Sequence, residues 1–214
     1  MREVFSPGEV KVLKETLKPG MTFVDVGANV GYFTLLAARL VGEGGSVYAF
    51  EPEDENFELL ERNIKENGYQ NVVLEKKAVS DKRGELTFYI DPKNLCAHSL
   101  VAKDGQKEVR VEAVVFDEYF KDLQIDVVKI DVEGAEPQVL KGMTETLKRK
   151  PTLIVEFYPE GLKNAGQDPM GYLEYIVSLG YTLYQITEEG TDRVSPEDLL
   201  KGDKFNKLTN LLCK

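Results

Sequence analysis

Two rhythms alternate along the chain. Short apolar runs, five to nine residues long, recur at Thr22–Val26, Ser46–Pro52, Val72–Ser80, Ile125–Val132, Thr152–Tyr158 and Tyr181–Thr187. They read as buried strands. Between them the apolar positions take helical spacing. Val30, Phe33, Ala37, Ala38 and Val41 form one stripe, and Leu59, Leu60 and Ile64 another within Asp54–Asn67. Further helices are expected over about Pro137–Lys148 and about Pro169–Leu179. Ser6-Pro7-Gly8-Glu9 predicts a helix start, with Ser6 as cap and Glu9 three residues on. That helix ends near Lys18-Pro19-Gly20. The rhythm changes after Ser80. "GELTFYI" and "EVRVEAVVF" alternate with period two, which predicts an antiparallel insertion over residues 81–116. Strands that alternate with helices predict an α/β fold, a mostly parallel sheet covered on both faces.

The 214 residues, 42% of them hydrophobic, suit one domain spanning 1–214, with residues 1–20 as an N-terminal helix. No run reaches the roughly 18 apolar residues that a membrane span requires. The first residues, "MREVFSPGEV", lack an apolar leader core. Cys96 and Cys213 have no metal-like spacing and are expected to be free thiols of a cytoplasmic protein. The formal net charge is −10 and no stripe of Lys and Arg is present, which disfavours nucleic acid as partner.

"FVDVGANVGYFT", from Phe23 to Thr34, is a strand, a tight turn and a helix start. Gly27 and Gly31 bracket the turn. In open α/β sheets ligands sit outside the carboxyl ends of the strands, where helix N-termini offer unpaired N–H groups. Glu51 follows 20 residues after Gly31 and can accept hydrogen bonds from two ribose hydroxyls. A nicotinamide site asks for G-x-G-x-x-G. Counting from Gly27, its second and third glycines would fall at Asn29 and Tyr32, so a dinucleotide oxidoreductase is disfavoured. Asp25 sits badly beside a pyrophosphate. It suits a ligand with an ammonium group, such as S-adenosylmethionine.

"FVDVGANVGYFT", "FEPEDENF", "AVSDKRGELTFY" and "VVKIDVEGAEPQVLKG" occur in an order that resembles the FkbM family of S-adenosylmethionine-dependent methyltransferases. The resemblance runs from about Phe23 to Tyr158. It implies the class I methyltransferase, Rossmann-like fold: a seven-stranded sheet of order 3-2-1-4-5-7-6, strand seven antiparallel, with a β-hairpin insertion after strand three. It implies O-methylation of a hydroxyl on a sugar, glycan or small natural product; a protein or RNA acceptor is the alternative. By resemblance, Asp25, Gly27, Ala28, Asn29 and Gly31 form the donor loop. Glu51 holds the ribose, Pro52 shapes the adjacent turn, and Ala78 and Val79 flank the adenine. "NLCAHSL" stands where the family often has small and hydroxyl residues.

A hydroxyl acceptor must lose a proton. The groups available are His98, Asp131, Glu133 and Glu156. Asp131 and Glu133 end the fourth parallel strand; they could orient the acceptor, bind a metal, or fix the turn with Gly134. Glu156 ends the next strand and could pair with Lys129. Glu53, Asp54 and Glu55 read as solvated acids at a helix start, and Glu136 as a helix-start acid. No metal is demanded. Were one used, these oxygen ligands would suit Mg²⁺ or Ca²⁺.

Overall fold

The computed structural model describes residues 6–90, 98–99, 107–201 and 207–214. In chain order the elements are α1 (Pro7–Thr16), β1 (Thr22–Val26), α2 (Tyr32–Val41), β2 (Ser46–Phe50), α3 (Asp54–Asn67), β3 (Val72–Glu75), β4 (Ala78–Ser80), β5 (Gly84–Ile90), β6 (His98–Ser99) and β7 (Lys107–Val115). Then follow α4 (Phe116–Tyr119), β8 (Val127–Ile130), α5 (Glu136–Lys141), α6 (Thr144–Lys148), β9 (Thr152–Phe157), α7 (Pro159–Asn164), α8 (Pro169–Ser178), β10 (Leu183–Ile186), β11 (Thr191–Val194), α9 (Pro196–Leu199) and β12 (Thr209–Cys213).

The main sheet has eight strands in the order β11-β10-β12-β9-β8-β1-β2-β3. From β9 to β3 all neighbours are parallel. β12 runs antiparallel between β9 and β10, and β11 antiparallel beside β10. Every residue of β8 is buried, as a strand covered on both faces requires. On one face α1 and α2 bring Val12, Leu13, Phe33 and Ala37 onto Phe23, Val127 and Ile154. On the other, Phe116, Leu140, Met143 and Leu173 cover Val128, Leu153 and Val155.

Several expectations are corrected. The sheet has eight strands, not seven, because Thr191–Val194 folds back on β10 as an extra edge strand. Counting every strand along the chain its numbering also differs, because β4 to β7 leave the main sheet, while β1, β2, β3, β8, β9, β10 and β12 taken as one to seven lie in the order 3-2-1-4-5-7-6. They form a second, four-stranded sheet, β4-β7-β5-β6. The expected third strand, Val72–Ser80, is therefore two: β3 pairs with β2, and after Lys76-Lys77 β4 pairs parallel with β7. The expected hairpin is the antiparallel pair β5–β7.

The helix expected over Pro137–Lys148 breaks into α5 and α6 at Gly142-Met143. A Cβ at Gly142 would lie 2.2 Å from the Ser80 carbonyl oxygen, so α5 ends pressed against β4. Ser6 does not cap α1 with its side chain. Its hydroxyl donates to Glu9 Oε2 at 2.5 Å. Val30, at 36% exposure, lies outside the buried stripe of α2, which begins at Tyr32.

Candidate active site

The carboxyl ends of β1, β2, β8 and β9 open on a cavity of about 680 Å³. The turn after β1 forms its floor. Gly27 and Gly31 have φ of 85° and 91°, and Asn29 between them has φ of 50°. Asparagine tolerates this left-handed region better than most side chains, which explains its place between two glycines. The Gly27 and Ala28 N–H groups both donate to the Phe50 carbonyl at 3.0 Å. A Cβ on Gly27 would stand 1.9 Å from the Asp131 carbonyl oxygen, so only glycine lets the turn and the β8 end meet.

Glu51 lies just past β2, is buried, and lines the cavity with Gly27, Ala28, Asn29 and Pro52. Its Oε2 accepts the Asn29 N–H at 2.8 Å and its Oε1 the Glu53 N–H at 3.0 Å. Each oxygen keeps a second lone pair for a ribose hydroxyl. Burial pushes its carboxyl up to about 7 against those two N–H bonds. Ala78 and Val79 also line the cavity, but from the second sheet.

Two members of the expected donor loop sit elsewhere. Asp25 is buried behind the turn, where its Oδ2 accepts the Thr34 hydroxyl at 2.6 Å; it does not line the cavity. Gly31 also faces away: a Cβ there would meet Leu60 Cδ1 at 2.5 Å, so this glycine lets α3 approach. Glu53 is not solvated. It is buried and caps α3 by accepting the Asn56 N–H at 2.7 Å.

In the same cavity, one carboxylate oxygen from each of Asp131, Glu133 and Glu156 falls within 4.8 Å of the others. Three hard oxygen ligands could hold a cation such as Mg²⁺ or Ca²⁺. Lys129 is fully enclosed, donates to Asp131 Oδ2 at 2.7 Å, and lies 4.7 Å from the Phe33 ring centroid. Burial alone would push its ammonium down. The carboxylates of Asp131, Asp25 and Glu9 outweigh that and hold it above its usual range. Of the two readings of Glu156, the pairing with Lys129 is not formed: Lys129 hydrogen-bonds Asp131, and Glu156 Oε2 is buried without a hydrogen bond. Burial, reinforced by Asp131, Glu133 and Glu136, pushes the Glu156 carboxyl far above the usual range, so it holds its proton at neutral pH.

Glu133 occupies a left-handed conformation, φ 54°, next to Gly134 at φ 103°. Glu136 fixes this turn by accepting the Val132 N–H at 3.0 Å and the Gly134 N–H at 3.0 and 3.2 Å. The backbone of His98 pairs with Ile90 in β6. Its side chain, together with Cys96 and the rest of "NLCAHSL" apart from the Ser99 backbone, lies outside the described residues. Cys213 is a buried free thiol, pushed above its usual range by burial.

The sequence reading missed Glu9 as a site residue. It lines the cavity and is 3% exposed. One signal was present: Glu9 shares a helix face with Val12 and Leu13, three and four residues on, so an acid interrupts a buried stripe.

A mostly parallel α/β sheet, a glycine turn that leaves room for a ligand, and a buried acid at the end of the second strand make up the class I methyltransferase fold, whose cosubstrate is S-adenosylmethionine. Residues 25–183 match the methyltransferase FkbM domain, and the chain belongs to that family. It is 28% identical over 163 residues to the hexuronic acid methyltransferase AglP of Haloferax volcanii, covering 75% of this chain and 63% of that one. It is 42% identical over 77 residues to the 31-O-demethyl-FK506 methyltransferase FkbM of Streptomyces tacrolimicus, covering 35% of this chain and 29% of the relative. The chain thus spans less than two thirds of the length of these relatives. Among solved structures it resembles in fold a Clostridium thermocellum protein described as an rRNA methylase, with TM-score 0.60, 14% identity and coverage of 100% and 96%. A Streptococcus mutans protein described as a methyltransferase, in complex with S-adenosylhomocysteine, gives TM-score 0.56 at 12% identity and coverage of 99% and 98%. Among the described residues no helix is long and apolar enough to cross a membrane.

Proposed function

We propose that this chain transfers a methyl group from S-adenosylmethionine to a hydroxyl of a sugar, glycan or small natural product. The observation that carries this reading is the acid cluster of Asp131, Glu133 and Glu156, in one cavity with the donor turn. When bound, S-adenosylmethionine supplies an electrophilic methyl group on a sulfonium. The chain must align a hydroxyl, exclude water and accept the hydroxyl proton. Alignment can be worth about 7–11 kcal/mol of barrier. Tyr32 and Leu208, at 39% and 52% exposure, line the same cavity and give an acceptor an apolar face. The name of the relative FkbM, a 31-O-demethyl-FK506 methyltransferase, supports an oxygen acceptor, and that of AglP, a hexuronic acid methyltransferase, supports a sugar-type acceptor.

We assign proton acceptance to Glu133. It lines the cavity, Glu156 holds its own proton, and Asp131 already carries the Lys129 ammonium. Glu133→Gln should lower kcat by roughly 10²–10⁴-fold with unchanged S-adenosylhomocysteine affinity. His98→Ala, Asp131→Asn and Glu156→Gln complete the series, because imidazole and carboxylate side chains are the usual general bases. A larger kcat loss in one of these than in Glu133→Gln would transfer the role to that residue.

Because Lys129 already places a positive charge on Asp131, turnover should persist after exhaustive chelation. Turnover that vanishes with chelator and returns with Mg²⁺ would place a cation on the three carboxylates instead. The acceptor class is tested by transfer of isotope-labelled methyl to uronic acids, neutral sugars and polyketide alcohols, with mass spectrometry of each product. A methyl ether is expected. Label found only on protein or RNA would sink the hydroxyl reading.

A further inference from the structure

Glu9 combines a place in the wall of the donor cavity with an unmet acceptor. Its Oε2 takes the Ser6 hydroxyl at 2.5 Å, while its Oε1 is buried with no hydrogen bond. Glu9 is 3% exposed and lines the cavity with Ser6, Gly27, Ala28 and Lys129. A buried acceptor left unpaired is costly, more so when charged. Helix α1 carries this acid on the face that packs Val12 and Leu13 into the core.

Charge narrows the missing partner. Lys129 is the ammonium that answers three carboxylates, Asp131, Asp25 and Glu9. Of the three, Asp131 holds its hydrogen bond, and Asp25, bonded to Thr34 through Oδ2 and unpaired at Oδ1, lies behind the turn and does not line the cavity. Glu9 is the one whose unpaired oxygen belongs to a cavity-lining side chain. The complement is a cation with N–H donors. The cosubstrate carries two cationic centres, and only one has N–H groups: the sulfonium has none, and the α-ammonium of the methionine part has three.

We propose that Glu9 Oε1 receives the α-ammonium of S-adenosylmethionine, so that α1 is a wall of the donor site as well as a cover for the sheet. Asp25, the acid that the sequence suggested for this task, then serves the turn through Thr34.

The test is calorimetry on the full chain with three ligands. S-adenosylhomocysteine has the ammonium, its deaminated analogue has hydrogen in that place, and 5′-methylthioadenosine lacks the amino-acid part. Wild-type protein should bind the deaminated analogue roughly 10- to 100-fold more weakly than S-adenosylhomocysteine. In Glu9→Gln that gap should shrink to a few-fold, with 5′-methylthioadenosine bound as in wild type. Equal affinity of wild type for the first two ligands would overturn the proposal without any variant. So would a full gap retained in Glu9→Gln, or an equal loss of all three ligands, which would make Glu9 a purely structural acid.

Discussion

Replacing Gly27 by valine should abolish S-adenosylhomocysteine binding. Two costs combine at this position. The backbone has φ of 85°, a left-handed conformation that costs an ordinary side chain about 1–2 kcal/mol. A Cβ there would also meet the Asp131 carbonyl oxygen at 1.9 Å, far inside contact distance. The oxygen belongs to backbone at the end of a buried strand and cannot rotate away. The turn must move, and with it Ala28 and Asn29. Gly20 separates the two costs, because it has nearly the same φ, 86°, with nothing within 4 Å of the added carbon. Gly20→Ala should therefore show strain alone, a small loss of thermal stability with donor affinity intact. Gly27→Val protein that folds and binds S-adenosylhomocysteine within threefold of wild type would refute the donor-floor assignment.

Glu51→Ala should weaken donor binding by roughly 10²–10⁴-fold, two charge-assisted hydrogen bonds of about 1.5–3 kcal/mol each. The same residue sets a pH dependence. Its carboxyl stands at about 7 in the folded chain, against an ordinary 4.5. As pH rises from about 4.5 the unfolded chain ionises first, so stability contributed by the protonated group falls until about pH 7, by about 3 kcal/mol at most. Ribose hydroxyls donate to the ionised form, so donor affinity should rise over the upper part of the same window. Asp25 and Glu53 face this group and raise its proton affinity further. Glu51→Gln should flatten the affinity profile while retaining the fold. Calorimetric titrations between about pH 5 and about pH 8 measure this. A wild-type profile that superimposes on that of Glu51→Gln would remove Glu51 from ribose recognition.

The parallel strands were legible because burial on both faces turns them into nearly continuous apolar runs, as in Val127–Ile130 and Thr152–Phe157. The place of Gly27, Asn29 and Glu51 in one cavity wall was legible because the glycine turn and the acid end adjacent strands of one parallel sheet. The switch between sheets at Lys76-Lys77 was not. "VVLEKKAVS" keeps a strand-like pattern throughout, and only tertiary pairing decides that β4 joins β7. β11 was illegible for another reason: Thr191, Asp192 and Arg193 are exposed at the sheet edge and carry no apolar signal. Asp25 shows the limit of a motif. Spacing placed it at the turn, but not on which side of it. Glu9 was hidden by its resemblance to half of a capping box, although its hydroxyl partner donates to it and no side-chain cap forms.

The split between two sheets has an evolutionary consequence. Ala78, Val79, Ser80 and Leu86 reach the cavity from strands that share no ladder with the eight-stranded sheet. Loop-closure cost grows only slowly with loop length, so connections in the second sheet can lengthen or shorten cheaply. A lineage can therefore remodel that wall without disturbing the register that holds Gly27 and Glu51. The glycine turn with Glu51 and the second-sheet wall of the same cavity are in this sense separately heritable parts of one fold.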